Sequence, residues 1–356
     1  MSDFIVIGGG IAGLSAAARL ADLGRVTLLE RESATGYHAS GRSAAVFEQT
    51  YGLPSTVALN RASQAYLAQA GVLSPRGLLM VAGPDKAAAF ADDLVRMEMT
   101  PITLAEARAF CPILHPDTVT LAGYHVGALD IDTNALMQHF VRHLRAGGGT
   151  ILTGAGVTAI RRDASGWTVS TPMGDRSAEM LVNAAGAWAD QVAVMAAIAP
   201  LGLTPLRRSM ARIPAPAGLD PAPWPMLFGP GEAWYMKPDA GALIVSPAEE
   251  DPSHPHDAWP DDMVLAEGLA RYADHVTAPV TRLLASWAGL RTFAPDRQLV
   301  IGPAPQDATF LWCAAQGGYG FQTAPAVGTL LADLVAGRAP AIGADIARAL
   351  SPARFC

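Results

Sequence analysis

The first thirty residues carry a hydrophobic pattern that predicts a strand, a helix and a second strand. Residues 4–7 form an apolar run of the length expected for a buried strand. Leucine and alanine then recur at helical spacing over residues 11–23. Residues 26–29 form a second short apolar run. We therefore predict a β-α-β unit at the start of the chain.

Three glycines stand between the first strand and the helix, in the spacing G-x-G-x-x-G. Gly8 allows a tight turn, Gly10 lets a pyrophosphate approach the backbone, and Gly13 lets the helix pack on the strand. The helix start offers free N–H groups to an anion. Glu30 ends the second strand, where its carboxylate suits ribose hydroxyls and repels a 2′-phosphate. The pattern predicts a dinucleotide site for FAD or NAD, and it does not separate these two.

Further periodic segments follow along the chain. Short strand patterns alternate with proline-rich turns over residues 205–289, which favours an antiparallel sheet with a substrate site. Residues 246–262 form a polar loop that is long enough to be a lid. His254 and His256 lie in it without clustered carboxylates or further histidines, so we expect a solvated loop rather than a metal site. Ser55 is the expected cap of one helix. Helices are predicted at residues 55–70, 86–97, 104–110 and 135–146, and strands at 78–81, 150–160 and 167–170.

A second strand, glycine turn and helix pattern lies near the other end of the chain. Residues 310–315 are mostly apolar, and Gly317, Gly318 and Gly320 follow at a predicted helix start. Such a turn presents bare N–H groups to a developing negative charge. An apolar strand also runs into the small residues 184–186, where backbone can pass close to a cofactor.

Composition narrows the classes of function. The chain has 356 residues, of which 51% are hydrophobic and 16% charged, as expected for a globular protein of two domains. The net charge of −7 argues against nucleic acid as a partner. No apolar run approaches a membrane span, and no signal peptide precedes the first strand, so we expect a cytoplasmic protein. Cys111, Cys313 and Cys356 show no metal or disulfide pattern.

Residues 36–45 read Gly-Tyr-His-Ala-Ser-Gly-Arg-Ser-Ala-Ala. Together with the glycine fingerprint, this segment resembles the D-amino-acid oxidase superfamily of FAD-dependent oxidoreductases, and most of all its D-arginine dehydrogenase branch. The resemblance covers nearly the whole chain. It implies an α/β fold with a Rossmann-like FAD-binding domain and a second α+β substrate domain on an antiparallel sheet. The implied FAD domain is residues 1–77, 133–204 and 290–356, and the substrate domain is 78–132 and 205–289.

The resemblance also implies which residues contact the cofactor. FAD is expected to be bound non-covalently, because Cys313 does not occupy the family's covalent position. The expected FAD contacts are Gly8, Gly10, Ile11, Ala12, Gly13, Glu30, Arg31, Ser40, Ser43, Ala44, Ala45, Val157, Ala185, Gly186, Trp188, Gly317, Gly318, Tyr319, Gly320, Phe321, Gln322 and Thr323.

Substrate binding is expected to depend on two arginines. Arg208 and Arg291 stand where the D-arginine dehydrogenase pattern has its carboxylate-binding arginines, and a guanidinium can grip a carboxylate through two N–H bonds. Tyr51 and Tyr235 match pocket tyrosines of the same pattern. The pocket-wall positions are Met226, Gly318 and Phe321.

The sequence departs from the family at the substrate side-chain pocket. The family's active-site histidine falls on Val46, and the glutamate that pairs with the substrate guanidinium falls on Gly77. Glu48, at a nearby pocket position, is either a relocated negative charge or a solvated loop residue. The pocket is therefore expected to accept arginine through Glu48, or neutral and apolar D-amino acids, or an N-alkyl amino acid.

The resemblance implies oxidative deamination of D-amino acids, with hydride passing from Cα to the flavin and an imino acid hydrolysing to a 2-oxo acid and ammonia. A dehydrogenase is expected, with an unidentified electron acceptor such as a quinone or a respiratory-chain component. One alternative is an oxygen-using oxidase of glycine or N-methyl amino acids. Another, from a different class, is a non-catalytic flavin protein that carries electrons or assists assembly.

Overall fold

The computed structural model describes residues 2–356, which form two large sheets, one small sheet and their covering helices. The strands are β1 (Ser2–Ile7), β2 (Val26–Leu29), β3 (Val46–Phe47), β4 (Leu73–Pro75), β5 (Leu78–Ala82), β6 (Thr100–Ile102), β7 (Leu121–His125), β8 (Leu129–Ile131), β9 (Thr150–Leu152), β10 (Ala159–Asp163), β11 (Gly166–Ser170), β12 (Arg176–Asn183), β13 (Thr204–Pro214), β14 (Met226–Phe228), β15 (Tyr235–Asp239), β16 (Ala242–Ser246), β17 (Asp251–Pro252), β18 (Ala285–Phe293), β19 (Val300–Pro303) and β20 (Phe310–Ala314). The α-helices are α1 (Ile11–Leu20), α2 (Pro54–Gln69), α3 (Ala87–Arg96), α4 (Leu104–Phe110), α5 (Thr133–Ala146), α6 (Ala189–Met195), α7 (Asp262–Ala273), α8 (Gly320–Val335) and α9 (Ala344–Leu350).

The first large sheet has eight strands around a parallel centre. Its order is β10-β11-β12-β1-β2-β9, with β20 beside β12 and β19 beside β20. Strand β1 runs parallel to both β2 and β12, so Ile7, Leu29 and Asn183 reach the same edge. Helices α1, α5 and α8 share an apolar core on one face, and Trp167 and Trp312 are buried on the other. Parallel strands buried on both faces are typical of a Rossmann-like domain.

The second large sheet has nine strands and is almost wholly antiparallel. Its order is β17-β13-β16-β15-β14-β5-β7-β6, with β18 beside β13. The exception is the parallel pair β14 and β5. A small third sheet has the order β3-β8-β4 and combines two strands from residues 46–75 with one strand from residues 129–131. This mixed α/β architecture confirms the predicted fold class.

The domain boundaries remain predictions, and the sheets allow only a comparison. The eight-stranded sheet draws its strands from residues 2–29, 150–183 and 300–314, and the nine-stranded sheet from residues 78–125 and 204–293. Strand β18 therefore runs across the boundary expected between residues 289 and 290.

Several local predictions differ from the structure. Helix α1 ends at Leu20 rather than at residue 23. Ser55 does not cap α2: the helix starts at Pro54, and the Ser55 hydroxyl donates to Gln298 instead. The structure has two strands, β9 and β10, where the sequence predicted a single strand over residues 150–160. Residues 153–158 between them are not part of a strand, and most of them line a cavity. No helix within residues 2–356 is both long enough and apolar enough to cross a bilayer.

Candidate functional site

A cavity of about 550 Å³ opens at the carboxyl ends of β1 and β2. Gly8 turns the chain out of β1 with a φ of +109°, and a Cβ there would lie 2.4 Å from the carbonyl oxygen of Ala184. A Cβ on Gly13 would lie 1.9 Å from the carbonyl oxygen of Gly8. Both positions exclude a side chain, because backbone lies against backbone there. The tight turn and the close packing of α1 on β1 therefore depend on these two glycines.

The buried carboxylate of Glu30 lies in the wall of this cavity. One oxygen accepts the N–H of Gly9 at 2.7 Å, and the other accepts the N–H of Glu32 at 2.8 Å. These bonds fix the carboxylate at the end of β2, and each oxygen keeps capacity for a further donor. The arrangement suits the hydroxyls of a ribose and disfavours a phosphate.

The start of α1 faces the same cavity. Gly10 is the N-cap residue, and the N–H of Ile11 donates to the hydroxyl of Ser40 at 2.9 Å. The first turn of α1 contains no acidic side chain. Because first-turn N–H groups lack intrahelical partners, this end of the cavity suits the pyrophosphate of a dinucleotide. With the Glu30 carboxylate in the same cavity, the residues present fit FAD.

A second cavity, of about 190 Å³, adjoins the first. Both are lined by Ala39, Arg42 and Gly289, so one ligand can extend from one to the other. The second cavity lies between the segment 43–51, strands β13, β14 and β15, β18 and the start of α8. It is therefore placed to hold the reactive end of a bound FAD together with a substrate.

The predicted FAD contacts fall into three groups. Those that line the first cavity are Gly8, Gly10, Glu30, Arg31, Ser40, Val157, Ala185, Gly186 and Trp188. Those that line the second are Ser43, Ala44, Ala45, Gly318, Phe321 and Gln322. Those outside both linings are Ile11, Ala12, Gly13, Gly317, Tyr319, Gly320 and Thr323, which lie at or next to the starts of α1 and α8.

Arg208 and Arg291 come together in the second cavity because β13 and β18 pair. Arg208 lies opposite Gly289, so Arg291, two residues further on, is its diagonal neighbour on the same face of the sheet. Arg208 is only 5% exposed, and its Nε donates to the carbonyl of Glu249 at 3.0 Å. Burial opposes the charge of Arg291, but the neighbouring Tyr51 and Glu250 hold its pKa above the usual value.

One protein carboxylate lies against both arginines. Glu250 forms a short ion pair with Arg291 Nη2, and the same Oε1 is 3.7 Å from Arg208 Nη2. A third guanidinium, that of Arg297, donates to both Glu250 oxygens at 2.9 Å. Burial works against ionisation of Glu250, but Arg291 and Arg297 outweigh it and lower its pKa. The structure thus shows that the paired arginines can hold one carboxylate.

The two predicted tyrosines both line the second cavity. The Tyr51 hydroxyl donates to Glu232 at 2.7 Å, and the Tyr235 hydroxyl lies 3.2 Å from the sulfur of Met210. Burial, followed by the charge of Glu232, raises the pKa of Tyr51 well above its ordinary value. Tyr51 therefore remains a hydrogen-bond donor across the physiological pH range.

Glu48, Val46 and Met226 line the second cavity, whereas Gly77 does not. A Cβ on Gly77 would lie 2.6 Å from the hydroxyl of Tyr124, so this glycine packs against Tyr124, and its place in the pocket stays a prediction. Glu48 is 5% exposed, which contradicts its description as a solvated residue. Its Oε1 accepts hydrogen bonds from the Thr50 N–H and hydroxyl. Its Oε2 lies 3.1 Å from His125 Nε2 but forms no hydrogen bond with it.

Several lining residues were missed by sequence reasoning. Glu232 belongs to a tight turn in which its own φ is +54° and Gly231 donates to Asp93. Nothing in the sequence near Glu232 predicts that Tyr51 would contact it. Trp234, Met97 and Met210 also line the cavity, and they come from segments far apart in the chain. The one available signal was the long polar loop, residues 246–262, which brings Glu250 to the arginines and His256 and Ala258 to the first cavity.

Arg42 fastens that loop to the segment 36–45. Its Nη1 donates to the carbonyls of Ala258 and Ala288 at 3.1 and 2.8 Å, and its Nη2 pairs with Asp257 at 2.5 Å. Trp287 Nε1 in turn donates to the Arg42 carbonyl. The loop therefore contributes to the wall of the first cavity through His256 and Ala258, and it contacts the second cavity's arginines through Glu250. Within residues 2–356 no three His, Cys, Asp or Glu side chains cluster as metal ligands, so His254 and His256 form no such site with their neighbours.

The chain is similar to known flavin-dependent proteins along most of its length. Residues 3–334 match the family model DAO, described as FAD dependent oxidoreductase. FAD-dependent oxidoreductase domain-containing protein 1 of Bos taurus is 26% identical over 401 residues, covering 94% of this chain and 81% of that protein. Mitochondrial dimethylglycine dehydrogenase of Homo sapiens is 25% identical over 368 residues, covering 94% of this chain but 42% of that protein.

Solved structures agree on the fold. L-proline dehydrogenase from P. horikoshii superposes with a TM-score of 0.83, covering 99% of this chain and 97% of that one, at 22% identity. None of these three proteins is a D-arginine dehydrogenase, so the special closeness to that branch, which the sequence resemblance implied, is not shown.

Proposed function

The chain belongs to the DAO family of FAD-dependent oxidoreductases and uses FAD as its cofactor, and from that premise we propose that it oxidises the Cα–N bond of an amino acid. We propose further that the substrate is a D-amino acid and that the enzyme is a dehydrogenase. The imino acid formed hydrolyses to a 2-oxo acid and ammonia. The observation that carries the proposal is the carboxylate of Glu250 held against Arg208 and Arg291.

The residues of the second cavity supply binding and orientation. Arg208 and Arg291 bind the substrate carboxylate, which fixes the position of Cα and its hydrogen. FAD, when bound, supplies the hydride acceptor. Tyr51 lies in the cavity wall with its hydroxyl donated to Glu232, and Met226, Phe228 and Phe321 make much of that wall apolar. The D configuration is proposed from the resemblance of residues 36–45 and of the arginine positions.

A second candidate is the oxidation of an N-alkylated amino acid. Two of the similar proteins are named after dimethylglycine and L-proline, and both of these compounds carry an alkylated nitrogen. The apolar wall formed by Met226 and Phe228 suits an N-alkyl group as well as an apolar side chain. The nature of the substrate nitrogen therefore separates the two candidates.

One experiment tests both candidates. The FAD-loaded protein is mixed without oxygen with D-amino acids, L-amino acids and N-methyl amino acids, and the loss of visible flavin absorbance is followed. We expect neutral or apolar D-amino acids to bleach the flavin most rapidly. Faster bleaching by N-methyl amino acids would favour the second candidate, and no bleaching by any amine would indicate a flavin protein without amine oxidation. Peroxide formed in air then distinguishes an oxidase, which passes electrons to oxygen, from a dehydrogenase.

A further inference from the structure

We call residues 247–261, the part of the polar loop between β16 and α7, the Glu250 loop. This loop is anchored on both sides of Glu250. Strand β17 pairs with β13 at Leu206 and Arg207, and Arg207 also pairs with Asp251 at 2.8 Å. Further along, Asp257 is held by Arg42. These contacts do not require Glu250 to lie on the arginines, because they use other side chains. The backbone next to Glu250 is therefore fixed by other contacts, and the Glu250 carboxylate is oriented by the guanidinium groups that it contacts.

A substrate carboxylate cannot bind the Nη2 atoms of Arg208 and Arg291 while Glu250 occupies them. Glu250 Oε1 is the atom that Arg208 and Arg291 share, and Arg208 has no other carboxylate within ion-pair distance in residues 2–356. Two carboxylates at one such position would repel each other. Binding of a substrate therefore requires that Glu250 leave Arg208 and Arg291.

Arg297 gives the displaced carboxylate a partner. Its Nη2 already lies 2.9 Å from both Glu250 oxygens, and its side chain is 48% exposed, further from the interior than Arg208. Its guanidinium rests on the ring of Phe293 at 4.0 Å, which holds it in place. With substrate bound, the cluster would contain three guanidinium groups and two carboxylates, so no acid would lose its counter-charge.

We propose that Glu250 is a specificity-determining residue that competes with the substrate carboxylate for Arg208 and Arg291 and moves onto Arg297 when substrate binds. This inference depends on the proposed function for its substrate. Its consequence is selectivity: a ligand that offers only a carboxylate must displace Glu250 with nothing else to gain. An amino acid that also fills the apolar part of the cavity gains contacts that offset the displacement.

The test compares Glu250→Gln with the matched control Asp251→Asn, which removes the same charge from the next residue. Binding of benzoate to the FAD-loaded protein is measured by isothermal titration calorimetry, and KM and kcat are measured for the best substrate. We expect Glu250→Gln to tighten benzoate binding roughly tenfold and to lower KM more than it changes kcat. Asp251→Asn should change the benzoate Kd by less than about twofold, because Asp251 contacts Arg207 instead.

Arg297→Ala tests the movement onto Arg297. Without this partner, Glu250 should bind Arg291 more exclusively, so benzoate should bind more weakly than to the wild type. In the double variant with Glu250→Gln, the Arg297 substitution should have little effect, because the competitor is gone. An effect of the same size in both backgrounds would contradict the movement.

The outcomes distinguish this inference from the proposed function. If Arg291→Ala abolishes benzoate binding and Glu250→Gln leaves it unchanged or weaker, competition by Glu250 is wrong and the arginine site stands. If Glu250→Gln tightens benzoate binding but no amine bleaches the flavin, the competition stands and amine oxidation is wrong. Thermal unfolding of each variant verifies that it is folded before binding is compared.

Discussion

The two cavities are built in opposite ways. The dinucleotide-binding end of the first depends on backbone geometry, set by residues close together in sequence: the glycine turn after β1, the start of α1 and the end of β2. The second depends on side chains from distant strands, with Arg208 on β13, Arg291 on β18 and Glu250 on a loop. A backbone site is sensitive to any added atom, whereas a side-chain site is sensitive to a change of chemistry. The predictions below use that difference.

Gly13→Ala should have the largest effect. Its Cβ would lie 1.9 Å from the Gly8 carbonyl oxygen, so α1 would have to move away from β1. We expect destabilisation of about 4 kcal/mol or more, with loss of soluble protein and of bound FAD. Thermal unfolding and the ratio of flavin to protein measure this.

Gly10→Ala is the matched control for that variant. A Cβ there meets only the Ser40 hydroxyl, at 3.2 Å, which belongs to a side chain that can move. The protein should fold but bind FAD more weakly, because the methyl group faces the cavity. Equal stability of Gly13→Ala and Gly10→Ala would contradict the role of backbone packing.

In the second cavity, Arg291→Ala should lower transition-state binding by ~2–5 kcal/mol, as expected when one partner of a buried, hydrogen-bonded charge pair is removed. Arg208→Ala should behave alike. Lysine should restore little activity, because its ammonium cannot make paired bonds to a carboxylate. FAD should remain bound, which separates the two cavities. The measurement is kcat/KM together with flavin content.

Arg212→Ala provides the control for the arginine variants. Arg212 lies on β13 like Arg208, but it pairs with Asp239 and does not line the cavity. Its kcat/KM should be close to that of the wild type. A near-normal kcat/KM for Arg291→Ala would show that the carboxylate is bound elsewhere.

Glu48→Gln should have a smaller and selective effect. Thr50 already donates twice to Glu48 Oε1, and His125 lies beside Oε2, so Glu48 is only partly available to a substrate cation. We expect D-arginine to be a poor substrate of the wild type and roughly tenfold poorer in the variant, as for the loss of one charge-assisted contact. Activity on D-leucine and D-methionine should change little. A wild-type preference for D-arginine that survives Glu48→Gln would contradict this account of the pocket.

The smallest expected effect concerns the thiols. Burial raises the pKa of Cys111 and of Cys313 to about 12. At about pH 8 both therefore remain protonated and unreactive. Iodoacetamide should alkylate the exposed Cys356 alone, with activity unchanged, as shown by mass spectrometry. Alkylation of Cys111 in the folded protein would show that its surroundings open to solvent.

The same contrast explains how far sequence reasoning reached. The glycine turn and the terminal Glu30 could be located because their chemistry depends on neighbours in the chain. Gly77 was predicted as a pocket position, but the sequence did not indicate that it packs against Tyr124, which lies on β7, the partner strand of β5. Glu232 and Glu250 were not assigned to the site, since turn geometry and loop placement bring them there. These contacts join residues that are far apart in the chain, and local sequence patterns do not specify them.

Arg42 gives the molecule a form of thermodynamic linkage. It lines both cavities and holds the carbonyl of Ala258 in the Glu250 loop. Because the coupling of two binding equilibria is reciprocal, any preference of FAD for one position of the loop is matched by an equal effect of loop position on FAD affinity. Arg42 contacts both the loop and the first cavity, so it is the residue through which a coupling between loop position and FAD affinity would act.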